Sequence, residues 1–284
     1  MRFLVLGASG MAGHLIGLYL KEQGHEVIGF SRRRVPFLDC IEGNAQDEQL
    51  LAKTINEGNF DIVINAIGVL NAAADNNPTA VYLNGKLPHV LAGIVAGSKT
   101  RVFHMSTDCV FAGNTGPYFE GCVPDGYSAY SKTKAAGELN DNHNLTFRTS
   151  IVGPDINENG IGLLNWFMKQ TGQVSGFTGA IWTGLTTLEL ARAMEHEAKE
   201  QVTGLVNMVP ESSINKYELL QLFNKELRGG AVEIIPSDSL QLDKALTRTN
   251  FEPTYIPRPY SVQVHEMADW VCKHRSLYPH YEVN

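Results

Sequence analysis

The sequence predicts a doubly wound α/β fold: a parallel sheet with helices on both faces, followed by a smaller C-terminal lobe. Three observations carry that expectation. Short apolar runs without polar alternation recur through the first half of the chain, as strands buried on both faces of a parallel sheet require. Helical stretches separate these runs, and strands alternating with helices wind into such a sheet. The first run leads directly into Gly7-x-x-Gly10-x-x-Gly13, so a strand, a glycine turn and a helix follow one another.

In chain order, Phe3 to Leu6 is the first strand, and Leu15, Ile16, Leu18, Tyr19 and Leu20 mark the buried side of a helix ending at Gly24. Glu26 to Phe30, Asp61 to Asn65, Arg101 to Met105 and Leu145 to Arg148 are the next strands. Helices are expected around 46–57, 79–97 and 128–140. Beyond about residue 150 the pattern changes. Gly153-Pro154, Asn159-Gly160 and the stretch from Gly176 to Gly184 read as loops, with helices near 186–199, 215–227 and 261–273. The later half has no second glycine-rich phosphate loop, and the chain has no internal repeat. The expected organisation is a Rossmann-type dinucleotide-binding domain over 1–150 and a smaller substrate-binding lobe over 151–284, with room for the two to interleave.

With 284 residues, 43% of them apolar and 19% charged, the composition is that of a water-soluble globular protein. A net charge of -7 argues against nucleic acid or an anionic membrane surface as the main partner. The four cysteines and nine histidines have no metal-ligand spacing, so no metal is expected and the thiols read as free in a reducing compartment. The run Phe3 to Leu6 is too short for a signal peptide, and no stretch approaches the length of a membrane span. Cytoplasmic is the expected location.

The glycine turn, Gly7-Ala8-Ser9-Gly10-Met11-Ala12-Gly13, lets the backbone approach a pyrophosphate at a helix N-terminus. Its blander reading is a turn whose glycines only permit helix–sheet packing. The second strand ends Gly29-Phe30-Ser31-Arg32-Arg33-Arg34, without the acid that would bond ribose hydroxyls and repel a 2′-phosphate. A hydroxyl and a guanidinium at Ser31 and Arg32 suit that phosphate, so NADP is favoured over NAD; otherwise the arginines form a solvated basic turn. Asn44 and Ala45 are candidates against the adenine edge, and Ala66 and Gly68 for passage under the cofactor.

Tyr130 and Lys134, four residues apart on an expected helix, share one face. An ammonium beside a phenol favours the phenolate, which would draw the Tyr130 hydroxyl from about 10 towards neutrality. Tyr130 is then the proton donor, Lys134 its tuner and a holder of the nicotinamide ribose, and Thr107, just past the strand 101–105, a second donor to the same carbonyl oxygen. Tyr127 lacks a lysine four residues on, and His104 reads as a core histidine. Trp166 and Trp182 read as core or cleft-lining, and Gly179 to Gly184 as a candidate wall of the substrate site.

These residues carry a resemblance to the extended short-chain dehydrogenase/reductases, and within them to dTDP-4-dehydrorhamnose reductases and related nucleotide-4-keto-6-deoxysugar reductases. The matching residues are Gly7, Gly10 and Gly13, Asn65-Ala66, Ser106-Thr107-Asp108-x-Val110-Phe111, Tyr130-Ser131-Lys132-x-Lys134-Ala135-x-Gly137-Glu138 and Phe147-Arg148-Thr149-Ser150, all within about the first 150 residues. The resemblance implies Thr107, Tyr130 and Lys134 as a catalytic triad and Asp108 as a contact to a substrate hydroxyl. It further implies NADPH-dependent reduction of the 4-keto group of a nucleotide-linked 4-keto-6-deoxyhexose, in deoxysugar and surface-polysaccharide synthesis. A homodimer is compatible with it. Cys109 stands where these reductases usually have tyrosine, and Ile151 where they often have tryptophan beside the sugar. Their arginine-proline substrate motif has only Arg258-Pro259 and Thr247-Arg248-Thr249 as stand-ins. A 4,6-dehydratase would carry Asp-Glu where this chain has Asp108-Cys109, and a 4-epimerase an acid at the end of the second strand. The regulatory beta subunit of methionine adenosyltransferase resembles the same reductases and acts by binding a partner enzyme, so a binding role stays open.

Overall fold

Seven parallel strands form the central sheet of the computed structural model, which describes residues 1–283 apart from the side chain of Ala72. Six come from the first 150 residues: β1 (Arg2–Leu6), β2 (Glu26–Ser31), β3 (Asp39–Glu42), β4 (Ile62–Asn65), β5 (Arg101–Met105) and β6 (Leu145–Arg148). The seventh, Gly204–Asn207, comes from the second half, and the order across the sheet is Gly204–Asn207, β6, β5, β4, β1, β2, β3. The strand order reverses beside β1, which pairs with β2 on one side and β4 on the other. In open parallel sheets that reversal leaves a crevice at the C-terminal strand ends, where ligands bind.

Burial on both faces explains the unalternating strands. Phe3, Val5, Ile62, Ile64, Phe103 and Phe147 pack into one core with α1 (Met11–Glu22) and the helices Thr187–Lys199 and Tyr260–Lys273. Leu4, Leu6, Val63 and Val102 face the opposite way, against Leu51 and Ile55 of α2 (Glu48–Gly58) and Leu87 and Leu91 of the helix Leu87–Val95. Helix ends are set locally. Asp47 caps α2 by accepting from the Leu50 amide at 2.9 Å, and Asn215 and Glu218 form a capping box on the helix Lys216–Arg228.

Three expectations differ from what folds. The stretch from Gly176 to Gly184 is mostly strand: Gln173–Phe177, Ala180–Trp182 and Gly184–Thr186 pair with Glu233–Ser237, with Ile214–Asn215 and Leu242–Asp243, and with Ser150–Val152. Its glycines mark close approach rather than turns, since a Cβ at Gly176 would meet Tyr217 and one at Gly184 the Trp182 ring. The helix expected over 79–97 is broken, with a π-helical stretch at Val81–Lys86 leading into Leu87–Val95. That stretch buries Asn84 and turns its side chain towards the 67–69 loop. The edge strands Asp39–Glu42 and Gly204–Asn207 went unanticipated, being four residues each and, for the first, polar at both ends.

The C-terminal tail is tied back to α1. The His14 ring donates from Nδ1 to the Gly10 carbonyl (2.9 Å) and accepts at Nε2 from the Tyr278 hydroxyl (2.8 Å), which itself accepts from Trp270 Nε1 (3.2 Å). Burial holds His14 neutral, lowering its pKa to about 4. Below about pH 6.5 the unfolded chain's imidazole takes up a proton that the folded one refuses, so stability falls with acidification. The decline from this residue should approach ~3 kcal/mol between pH 6.5 and pH 4. His14→Gln should flatten that slope in urea unfolding curves across the same range, and an unchanged slope would contradict the assignment.

Candidate active site

A cavity of about 420 Å³ opens over the C-terminal ends of β1, β4 and β5. On one side lies the glycine turn. Gly7 adopts a left-handed φ of +84°, and a Cβ there would lie 3.1 Å from the Ala66 carbonyl beyond β4. A Cβ at Gly13 would lie only 2.2 Å from the Gly7 oxygen, so α1 starts closer to the turn than any side chain allows. Gly10 and Met11 face the cavity, and α1 begins there with no side-chain cap and no acid in its first turn. Unpaired N–H groups at such a helix start, with a backbone no Cβ obstructs, fit the pyrophosphate of a dinucleotide.

The other proposed cofactor residues divide. Ala66 and Gly68 line the cavity. Ser31, buried at the end of β2, donates from Oγ to the Arg33 carbonyl at 2.5 Å, while Arg32, Arg33 and Arg34 are exposed. Ser9 and Asn44 are exposed and Ala45 is buried in the core; none of the three lines the cavity. Asn44 accepts from the Gln46 amide within its own turn.

Thr107, Tyr130 and Lys134 meet on the opposite wall. Thr107 follows β5 and caps the short turn Asp108–Val110: its Oγ1 accepts from the Cys109 amide (3.1 Å) and donates to Asp108 Oδ1 (3.1 Å). Asp108 is thereby held by Thr107, and Cys109 rather than Asp108 lines the cavity. The helix Ala129–Ala136, capped by Ser128, brings Tyr130 and Lys134 onto one buried face. Lys134 Nζ donates to the Met105 carbonyl at 2.6 Å.

Burial dominates the electrostatics here. It pushes the Tyr130 phenol well up, the Cys109 and Asp108 charges add to that, and only a hydrogen bond with Thr107 opposes it. Burial also lowers the Lys134 ammonium to about 8, against the pull of Glu138. The expectation that Lys134 draws the phenol towards neutrality is therefore not met. The ammonium bonds the Met105 carbonyl, and desolvation outweighs any charge near the ring.

Two supports hold this wall. Glu138 accepts from Ser106 Oγ (2.6 Å) and takes a two-pronged contact from Arg148 (2.8 and 2.6 Å), joining the segment after the Tyr130–Lys134 helix, the end of β5 and β6. Asn84 exchanges hydrogen bonds with both the amide (2.8 Å) and the carbonyl (2.9 Å) of Val69, fixing the loop after β4. His104 is fully buried and neutral beside Asn65, 3.2 Å away. Nothing about Asn84 in the sequence separated it from other helix asparagines.

From the second half, Ile151, Trp182 and Lys216 line the cavity. Lys216 escaped the sequence reading because it heads a helix that carries no motif. Trp166, expected as core or cleft-lining, is 42% exposed and lies outside the cavity lining, since the helix Leu163–Met168 buries its other face. Both arginine stand-ins are occupied. Arg258 is clamped by Glu189 and Glu266, and Arg248 donates to the carbonyls of Asn250, Tyr255 and Pro253. Among the described residues no His, Cys, Asp and Glu side chains group as metal ligands, and no helix is long and apolar enough to cross a membrane.

The geometry defines a class: a doubly wound sheet with a glycine turn and a Thr-Tyr-Lys wall sharing one cavity, as in the extended short-chain dehydrogenase/reductases. Residues 1–252 match the family model described as the RmlD substrate binding domain, and the chain belongs to that family. The probable low-salt glycan biosynthesis reductase Agl14 of Haloferax volcanii is 33% identical over 143 residues, 49% of this chain and 48% of that protein. Methionine adenosyltransferase 2 subunit beta of Xenopus laevis is 31% identical over 147 residues, 48% of this chain and 41% of that protein. These alignments span about half the length of the curated relatives or less. The solved dTDP-4-dehydrorhamnose reductase of Bacillus anthracis, a complex with NADP, superposes with a TM-score of 0.78 over 94% of this chain and 98% of that one. At 16% identity it shows the shared fold.

Removing Glu138 should strand the Arg148 guanidinium, whose side chain is 3% exposed. Glu138→Ala is expected to cost ~3–5 kcal/mol in denaturant unfolding. A cost below ~1 kcal/mol would mean that the pair does not hold the catalytic wall.

Proposed function

We propose that the chain is an NADPH-dependent reductase of the 4-keto group of a nucleotide-linked 4-keto-6-deoxyhexose. The observation that carries this reading is the convergence of Thr107, Tyr130 and Lys134 on the cavity that Gly10 and Met11 also face. The match to the RmlD substrate binding domain and the similarity to a protein named as a glycan biosynthesis reductase support it.

The bound cofactor supplies the hydride. The start of α1 at Gly10 and Met11 would hold its pyrophosphate, and Arg32 would hold the 2′-phosphate together with Ser31 once that hydroxyl leaves the Arg33 carbonyl. NADP fits better than NAD because β2 ends in a hydroxyl and three exposed arginines, with no acid to bond the ribose hydroxyls. Tyr130 gives its proton to the substrate's C4 oxygen, and the Thr107 hydroxyl, turning its one proton away from Asp108, donates to that oxygen. A phenol pushed up by burial is fully protonated before reaction, as a donor must be. Lys134 leaves the Met105 carbonyl for the nicotinamide ribose and stabilises the phenolate once the proton has gone. Asp108 accepts from Thr107 and would contact a substrate hydroxyl once Thr107 releases it. Ile151 and Trp182 give the sugar an apolar wall, and the segments beyond residue 150 that leave the main sheet act as the substrate lobe. Four free cysteines suit a reducing cytoplasm, and the product suits deoxysugar and surface-polysaccharide synthesis.

A second reading rests on the similarity to the methionine adenosyltransferase beta subunit. In it the chain binds dinucleotide and a partner enzyme without turnover, and an intact triad does not separate the two.

NADPH oxidation with a panel of dTDP-, UDP- and GDP-linked 4-keto-6-deoxysugars tests the choice. One member should be turned over, and Tyr130→Phe should lower kcat at least ~100-fold while changing the Kd for NADPH less than about threefold. Normal rates in that variant would refute the role of Tyr130. NADPH binding with no turnover of any sugar would favour the regulatory subunit.

A further inference from the structure

Of the charged residues lining the cavity, the catalytic scheme leaves Asp155 and Lys216 unused, and Lys216 is the cation of the two. It heads the helix Lys216–Arg228, and its ammonium lies 4.5 Å from the centre of the Trp182 ring. It forms no hydrogen bond or ion pair with any described residue. Burial lowers its pKa to about 8, and the Asp108 carboxylate opposes that only through space. Trp182, 3% exposed beside it, has an indole N–H with no acceptor among the described residues.

A partly buried ammonium without a partner is costly to fold, and the cost is recovered when an anion arrives. The arginines of the same half are not available for that role. Arg192 and Arg258 are held by Glu189 and Glu266, Arg148 by Glu138, and Arg248 and Arg228 donate to backbone carbonyls. The start of α1, on separate elements, already serves the cofactor's pyrophosphate.

We infer that Lys216 is the receiver for the diphosphate of the nucleotide-linked substrate. The inference deepens the proposed function and rests on it for the identity of the ligand. Lys216 is thus a specificity-determining residue: it makes the cavity prefer a sugar carried on a nucleoside diphosphate over the free sugar.

Equilibrium binding tests this without requiring turnover. dTDP, UDP and GDP are titrated, each beside its nucleoside, into protein saturated with NADPH. At least one diphosphate should bind much more tightly than its nucleoside. Lys216→Met should weaken that diphosphate ~30-fold or more, leave the nucleoside unchanged and leave NADPH affinity unchanged. Lys216→Arg, which keeps the charge and guards against a methionine variant that misfolds, should retain most of the affinity. Equal diphosphate affinity in Lys216→Met would overturn the inference and reduce Lys216 to a counter-charge for Asp108. So would a wild type with no preference for diphosphate over nucleoside, or diphosphate binding that NADPH displaces. Lys216-dependent diphosphate binding in a protein that reduces none of the sugars would sustain the inference while the proposed reaction fell.

Discussion

One buried carboxylate holds together the cavity wall formed by Thr107, Tyr130 and Lys134. Glu138 follows the helix that carries Tyr130 and Lys134, grips Arg148 on β6 and takes the hydroxyl of Ser106 at the end of β5. Thr107 is the next residue, so its position is inherited from that contact. A buried ion pair contributes little net stability against an apolar alternative, but breaking one is expensive. Its value here is geometric: it fixes the helix against two strands so that three side chains from two elements face one cavity. The glycine turn meets the same requirement from the other side, because α1 approaches β1 only where no Cβ intervenes.

Desolvation then sets the character of the cavity. Tyr130 is pushed up, and Lys134 and Lys216 are lowered to about 8, with burial the largest cause for each. Each is the shift of a group that burial strips of water. Lys134 is satisfied by one carbonyl, and Lys216 by an aromatic face alone. Anionic and hydroxyl-bearing ligands would complete both environments, whereas an apolar ligand would leave both ammoniums uncompensated.

The sheet was readable in the sequence wherever strands were long and apolar on both faces, as in Phe3 to Leu6 and Arg101 to Met105. The edge strands Asp39–Glu42 and Gly204–Asn207 were not, because a short edge strand needs only one neighbour and keeps no distinctive pattern. The glycines of 176–184 misled for a related reason: a glycine demanded by a packed ring and one demanded by a turn look alike in sequence. In the site, the glycine turn and the Tyr130–Lys134 pair stood out because each has a spacing. Asn84 and Lys216 did not, since their roles come from a π-helical stretch and from a helix start folded over the cavity. Arg258 looked available only until its partners Glu189 and Glu266, distant in sequence from each other, came together around it.

The central claim is that hydride moves from a nicotinamide to a sugar carbon in the cavity between the glycine turn and Thr107. The most direct measurement is mass spectrometry of the sugar product formed with NADPH carrying deuterium at the transferred C4 position. The account predicts one deuterium retained on carbon C4 of the sugar, and none when the label is on the opposite face of the nicotinamide. A product with no deuterium from either labelled cofactor would contradict it.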